Sequence, residues 1–504
     1  MSDAALDRLR SAGEAFTIDL ARERYRVQAG LTDRVDLEAV HGRHPRATGM
    51  GALDVAREAF AAAPDGSAER QAAGKLLEWQ VDTQLARTLG PLDARLLAVE
   101  SGAIVRLDDG RRIPYQRVAS DLAAAGDRDE RLAIDAARAD VVAREIAPLA
   151  RERLTRERDA VESFGIADGY VGAIEVVSGI SLRALAAECE ALLRDTAPMW
   201  EDVLPTFLKR AGIARGDARR ADAPALMRAT AFDDAFPARE MEPAVRRQLA
   251  EAAISPDAHG RIRVDMADRE GKSDGAWCVP VRVPDEIQLL ARPAGGVRHW
   301  RSYLHATGQA LHLANTDAAL PFEDRVLGDR AVAEGYGMMF DHLLHDRAWL
   351  ARYAQLPAHR VRDYRAHSAF EELHALRRLA ARLVYELDVY DGELSWDSLA
   401  ERYVERMTAA TGFQYLEADA FADVGPRLGA ARSLRAWQLQ GALTERLRER
   451  FDEDWFRNPA GGAYLVGELM AQGHRLNAAQ LLERDGGGPL GFAPVIRAVE
   501  ARLA

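Results

Sequence analysis

The chain has 504 residues, 48% of them hydrophobic, and a formal net charge of −12, enough apolar sequence for a large core and length for two or three domains. The acidic balance, without a clustered basic stripe, argues against nucleic-acid binding, and two cysteines, Cys189 and Cys278, leave no disulfide framework and no Cys-rich metal site. The N-terminal stretch from Met1 to Phe16 carries dispersed charge instead of a signal-peptide core, and no run approaches the ~18 apolar residues that span a bilayer, so a soluble, cytoplasmic protein without membrane partners is expected.

In chain order the periodicity is helical. Residues 3 to 29, 53 to 63, 67 to 100 and 127 to 164 repeat apolar positions every three or four residues with Arg, Asp and Glu between them. Residues 181 to 212 and 224 to 254 extend the pattern. It breaks at residues 255 to 296, where Arg261 to Asp265 alternates as a strand and Val279 to Pro284 and Ile287 to Leu290 read as further short strands. After Gly295-Gly296 a helix carrying His305 begins, and beyond Arg325 the chain again reads as helices joined by short loops. Only three of the 67 basic residues are Lys, so few amines are available for Schiff-base or general-base chemistry.

The stretch His305-Ala306-Thr307-Gly308-Gln309-Ala310-Leu311-His312, with Glu334 following 29 residues after His305, keeps the frame of a helical zinc-peptidase motif. Such a motif reads H-E-x-x-H, with two His one turn apart on zinc and the Glu activating water. Here Ala306 stands at the Glu position and Gln309 at the second His. An amide oxygen is a poorer zinc partner than imidazole, and loss of the base removes a role typically worth roughly 10² to 10⁴ in rate.

With Gly308, Ala310, His312 and Ala333-Glu334-Gly335-Tyr336 in their places, the chain resembles the thimet oligopeptidase and oligopeptidase F type of zinc metallopeptidase, a gluzincin-like family whose motif reads H-E-x-G-H-A-x-H. Gly271 to Cys278, Arg228, Asp233, Phe236 and Pro237 also look like family positions, so the resemblance covers roughly residues 150 to 480. It implies a mainly α, two-lobed metallopeptidase-like fold with a deep central cleft and one small β-sheet beside the motif helix. The implied lobes are residues 1–200 and 201–504, within one integrated unit. Family members also carry His and Tyr oxyanion donors on a Gly-rich loop. The matching stretch, Val424 to Ser433, has neither.

The resemblance places metal-ligand positions at His305, Gln309 and Glu334, and these with His312 and the amphipathic Tyr303 and Tyr336 close to the motif are the candidate ligand-binding residues. His305, Gln309 and His312 share one helical face, yet i and i+7 stand ~10 Å apart along the axis, too far for His312 to replace the missing ligand. The competing reading is a set of polar side chains hydrogen-bonded inside a packed core. Trp277, Trp300, Tyr303, Tyr336, Phe340 and Trp349 cluster around the motif, either as cleft walls or as core. His367, Glu371 and His374, and the pairs His41/His44 and His342/His345, have metal-compatible spacing but read more simply as helix-face or loop residues.

The expectation is a metallopeptidase homologue that binds a peptide or peptide-like ligand without cutting it, with no cofactor unless the degenerate site still holds zinc. Two alternatives stay open: an enzyme with repurposed cavity chemistry, and a residual zinc oligopeptidase using Gln309 as a ligand.

Overall fold

Apolar positions at helical spacing fold as helices close to where the pattern puts them: Asp3–Gln28, Met50–Ala62, Ala68–Gly102, Leu182–Asp195 and Ala197–Arg210. A computed structural model describes residues 3–354 and 356–504. Helix makes up 72% of it, with one two-stranded and one three-stranded sheet, so the mainly α expectation holds. Stretch 181 to 212 breaks at Thr196, stretch 224 to 254 divides into Ala223–Met227, a 3-10 segment Thr230–Ala235 and a helix Ala238–Glu251, and stretch 127 to 164 is also interrupted. This last runs as Arg128–Val141, a π turn Val142–Ile146 and a second helix Ala147–Ser163. Pro148 near the start of that second helix has no N–H to donate to the preceding turn, and the wider turn absorbs the missing bond.

Contacts group the chain into two compact units that interleave in sequence: residues 1–80, 230–365 and 435–498, and residues 81–229, 366–434 and 499–504. The lobes implied by the resemblance, 1–200 and 201–504, are contiguous in sequence, whereas these units are not.

In the first unit, strands β3 (Ile262–Asp265), β4 (Ala276–Arg282) and β5 (Glu286–Ala291) form a sheet in the order β3-β5-β4, with β3 parallel and β4 antiparallel to β5. The central strand is buried along nearly its whole length, whereas β4 alternates, as expected of an edge strand with one covered face. Ile18, Ala21 and Tyr25 of the first helix pack on Val279, Val281 and Leu290. The motif helix, Val297–Ala314, lies against β4 and β5, so the small sheet sits where the resemblance implies.

The second unit contains a hairpin that the periodicity misses, β1 (Ile104–Arg106) with β2 (Arg112–Pro114). Its strands are three residues long, too short to show alternation. Val105, Leu107 and Ile113 join Val118, Leu122 and Ile134 in a local core.

Two glycines set the spacing between the motif helix and the following Glu334 helix, Arg330–Asp341. A Cβ on Gly308 would lie 2.4 Å from the Tyr336 carbonyl oxygen, and one on Gly337 would lie 2.7 Å from His305 Nε2. The helices therefore meet backbone to backbone. Gly308→Ala is expected to lower stability by about 1–3 kcal/mol through overpacking, while Gly429→Ala, where an added Cβ meets nothing within 4 Å, should change it by less than about 0.5 kcal/mol. Chemical denaturation midpoints of the two variants provide the comparison.

Candidate functional site

The start of the motif helix is fixed by the segment before it in the same unit. Asp233 accepts a hydrogen bond from the Val297 N–H (2.9 Å), and Gly296 N–H donates to the Phe236 carbonyl (2.8 Å). Gly296 has φ +93°, and a Cβ there would press on the Asp233 carboxylate at 2.8 Å. Trp300 donates its indole N–H to the Pro237 carbonyl and packs edge-on against Phe236. Asp233, Phe236 and Pro237 thus act by capping and bracing the helix that presents His305.

His305 lies over Gly337 in the slot between the two helices, with its side chain 28% exposed. Its Nδ1–H donates to Asp341 Oδ2 at 2.8 Å, and the other oxygen of the same carboxylate accepts from His342 Nδ1 at 2.6 Å. With the proton on Nδ1, the neutral ring presents Nε2 as an acceptor, and the Gln309 amide N–H donates to it at 3.1 Å. The nitrogen that would face a metal is therefore occupied by the side chain standing at the second His position. Burial alone would lower the His305 pKa, but the bond to Asp341 and the negative charges of Asp341 and Glu334 outweigh it and raise the pKa above 6.5. Burial likewise pushes Asp341 up, and its two imidazole partners pull it below the usual carboxylate range.

The other predicted positions divide. Glu334 is half-buried and close enough to influence His305. Ala306, at the base position, is 2% exposed and offers no polar atom. His312 lies deeper, donating from Nε2 to the Gly473 carbonyl (3.2 Å) and packing against Tyr336 and His474. Burial lowers its pKa to about 3, so it is a neutral core imidazole. Tyr303 and Tyr336 are buried, and the Tyr336 hydroxyl has no hydrogen-bond partner among the described residues. Of the aromatic group, Trp300, Phe340 and Trp349 are core, while Trp277 on β4 is exposed.

The residue that sequence reasoning missed is Asp341. It stands seven positions after Glu334, on the same face of that helix with Gly337 between them, and this i, i+7 spacing is the signal that could have found it. Among the described residues, His305 and Glu334 belong to no group of three mutually close His, Cys, Asp or Glu donors, and His367, Glu371 and His374 do not form one. His44 of the His41/His44 pair is held by Asp19 at 2.9 Å.

In the second unit, two backbone N–H groups of the stretch Val424 to Ser433, read as the counterpart of the family's Gly-rich loop, are engaged by buried carboxylates. Gly425 N–H donates to Glu386 (2.8 Å) and Arg427 N–H to Glu157 (3.0 Å), which also accepts from the Tyr170 hydroxyl (2.6 Å). Burial raises Glu386 to about 7.

Among the solved structures to which the chain is similar are two peptidases. One is a Chlamydophila abortus protein assigned as a peptidase, with a TM-score of 0.71, 12% identity, and coverage of 99% of this chain and 89% of that one. The other is the M32 carboxypeptidase of Deinococcus radiodurans R1, with a TM-score of 0.66, 14% identity and 99% coverage of both chains. The fold is metallopeptidase-like. No family model matches the chain, and no curated protein matches it. Among the described residues, no single helix is long and apolar enough to cross a membrane.

The direction of the His305 shift yields a pH prediction. A raised folded pKa means that the Asp341 contact contributes its full stability below about 6.5 and loses it as pH rises through the folded value. The His305 ring should titrate above 6.5 by NMR, and Asp341→Asn should bring the midpoint down. A midpoint unmoved by that substitution would show that Asp341 does not hold the imidazole.

Proposed function

We propose that this protein is a metallopeptidase homologue, of thimet oligopeptidase or oligopeptidase F descent, that binds a peptide or peptide-like ligand without hydrolysing it. The observation that carries the reading is the Gln309 amide seated on His305 Nε2 at 3.1 Å, beside an alanine where a base would stand. A catalytic zinc takes three protein ligands and keeps a fourth position for water, whose pKa it lowers. His305, Gln309 and Glu334 would supply one imidazole, one amide and one carboxylate, and the imidazole nitrogen already has a partner. This set does not fit that requirement. His305 remains partly exposed, so the slot can still meet a ligand, and the imidazole, amide and carboxylate offer donors and acceptors for a peptide group.

A second reading draws on the Asp341–His305 pair. A carboxylate that orients an imidazole and raises its basicity is the arrangement that general-base sites use. On that reading the slot hosts metal-independent proton transfer at His305.

Protein purified without chelator is expected to hold well under one equivalent of zinc and to leave a mixed peptide library uncut by mass spectrometry, while the double substitution Ala306→Glu, Gln309→His should take up close to one equivalent. Stoichiometric zinc in the unaltered protein, with cleavage that a chelator stops, would overturn the proposal. Chelator-insensitive turnover lost in His305→Asn would instead establish the second reading.

A further inference from the structure

The second unit holds a cavity of about 360 Å³, a size within the range of small-molecule pockets, and none of the residues discussed around His305 contributes to it. Three guanidinium groups border it. Arg138 grips Asp419 with two bonds (2.6 and 2.9 Å) and Asp135 with a third (2.8 Å). Arg220 reaches Asp135 and stands 3.4 Å from Asp419. Arg378 donates to Asp423 at 2.7 Å, and that carboxylate also accepts from the Tyr403 hydroxyl at 2.9 Å.

Three Arg meet three Asp, and Arg382, 4.0 Å from Asp423, is itself paired with Glu386 at 3.0 Å, so each guanidinium has a carboxylate to balance it. A ligand with a net charge would add an unbalanced one to a partly buried site, which is unfavourable. A zwitterion adds none. Its carboxylate can take guanidinium N–H groups beyond those that the Asp contacts use, since each Arg carries five, and its ammonium can approach the Asp oxygens. Between the charged groups, Tyr115, Tyr415, Pro224 and Met227 supply apolar wall.

A second observation points to an occupant. His374 borders the cavity, is 9% exposed, and is packed between Trp200 and Phe413. Its Nε2 has no hydrogen-bond partner among the described residues. Burial lowers its pKa to about 3, so the ring is neutral and adds no charge. Buried polar atoms are ordinarily satisfied by protein, water or ligand.

We propose that this cavity binds a free α-amino acid with an apolar side chain, its carboxylate on Arg220 and Arg378 and its ammonium towards Asp419 and Asp423. Titration calorimetry on the full chain would compare L-leucine and L-phenylalanine with N-acetyl-L-leucine and L-leucinamide, each of which keeps only one charge. At least one free amino acid should bind with a Kd of about 1 mM or below, with N-acetyl-L-leucine and L-leucinamide each at least tenfold weaker than L-leucine. Arg220→Gln should weaken binding at least tenfold. Ala422→Trp, at an exposed position on the rim that makes none of the ion pairs, should block binding with an unchanged circular dichroism spectrum, and decides the matter if Arg220→Gln fails to fold. Binding of neither amino acid, equal binding of a singly charged derivative, or full binding by a folded Ala422→Trp protein would overturn the proposal.

Discussion

The arrangement around His305 depends on the backbone contact between the motif helix and the Glu334 helix. Gly308 lets the Tyr336 carbonyl come closer than any side chain would permit, and Gly337 leaves the space that the His305 ring fills. Helices separated by ordinary side chains pack 8–10 Å apart. Small residues at the contact bring the His305 side chain on one helix within hydrogen-bond reach of the Asp341 carboxylate on the other. The imidazole is thus confined by packing before any polar group orients it.

Within that slot, Asp341 decides what His305 can be. A buried carboxylate is unfavourable unless several donors satisfy it, and Asp341 receives one from each of two imidazoles. The bond fixes the His305 proton on Nδ1 and leaves Nε2 as the outward acceptor. In zinc sites the same carboxylate–histidine arrangement orients a ligand ring towards the metal. The orienting geometry is therefore complete, while the partner it serves is an amide N–H from Gln309. A neutral hydrogen bond contributes on the order of 1 kcal/mol, so the Gln309 amide satisfies the ring nitrogen at a modest gain in stability.

The helices, the sheet ahead of the motif and the start of the helix at Gly296 were all readable from periodicity and breakers, because those signals are local. His305 and Gln309 were legible as a pair, since i, i+4 spacing on one helix fixes their proximity. Asp341 was not. Its role depends on which face of a second helix turns towards the first, and that follows from Gly308 and Gly337, whose meaning is tertiary. Tyr336 shows the same limit from the other side: its place two residues after Glu334 suggested a pocket wall, but residues i and i+2 on a helix point about 200° apart, and Tyr336 turns into the core against His312. The β1–β2 hairpin escaped because three-residue strands leave no measurable alternation.

The near-absence of lysine, which looks like a compositional accident in the sequence, has a structural consequence in the second unit. Arg138 holds Asp135 and Asp419 together through three separate bonds, an arrangement that a lysine's single ammonium nitrogen could not reproduce with the same planar fork. The charged groups are thereby held in fixed directions along the cavity, and their charges cancel within the unit. In the first unit one carboxylate is shared by two rings and the remaining ring nitrogen is covered by an amide. In the second, the guanidinium forks retain donors after every carboxylate is paired. A polar interior can be closed in the first way or left receptive in the second, and the difference lies in the surplus of N–H groups that Arg carries over each Asp it meets.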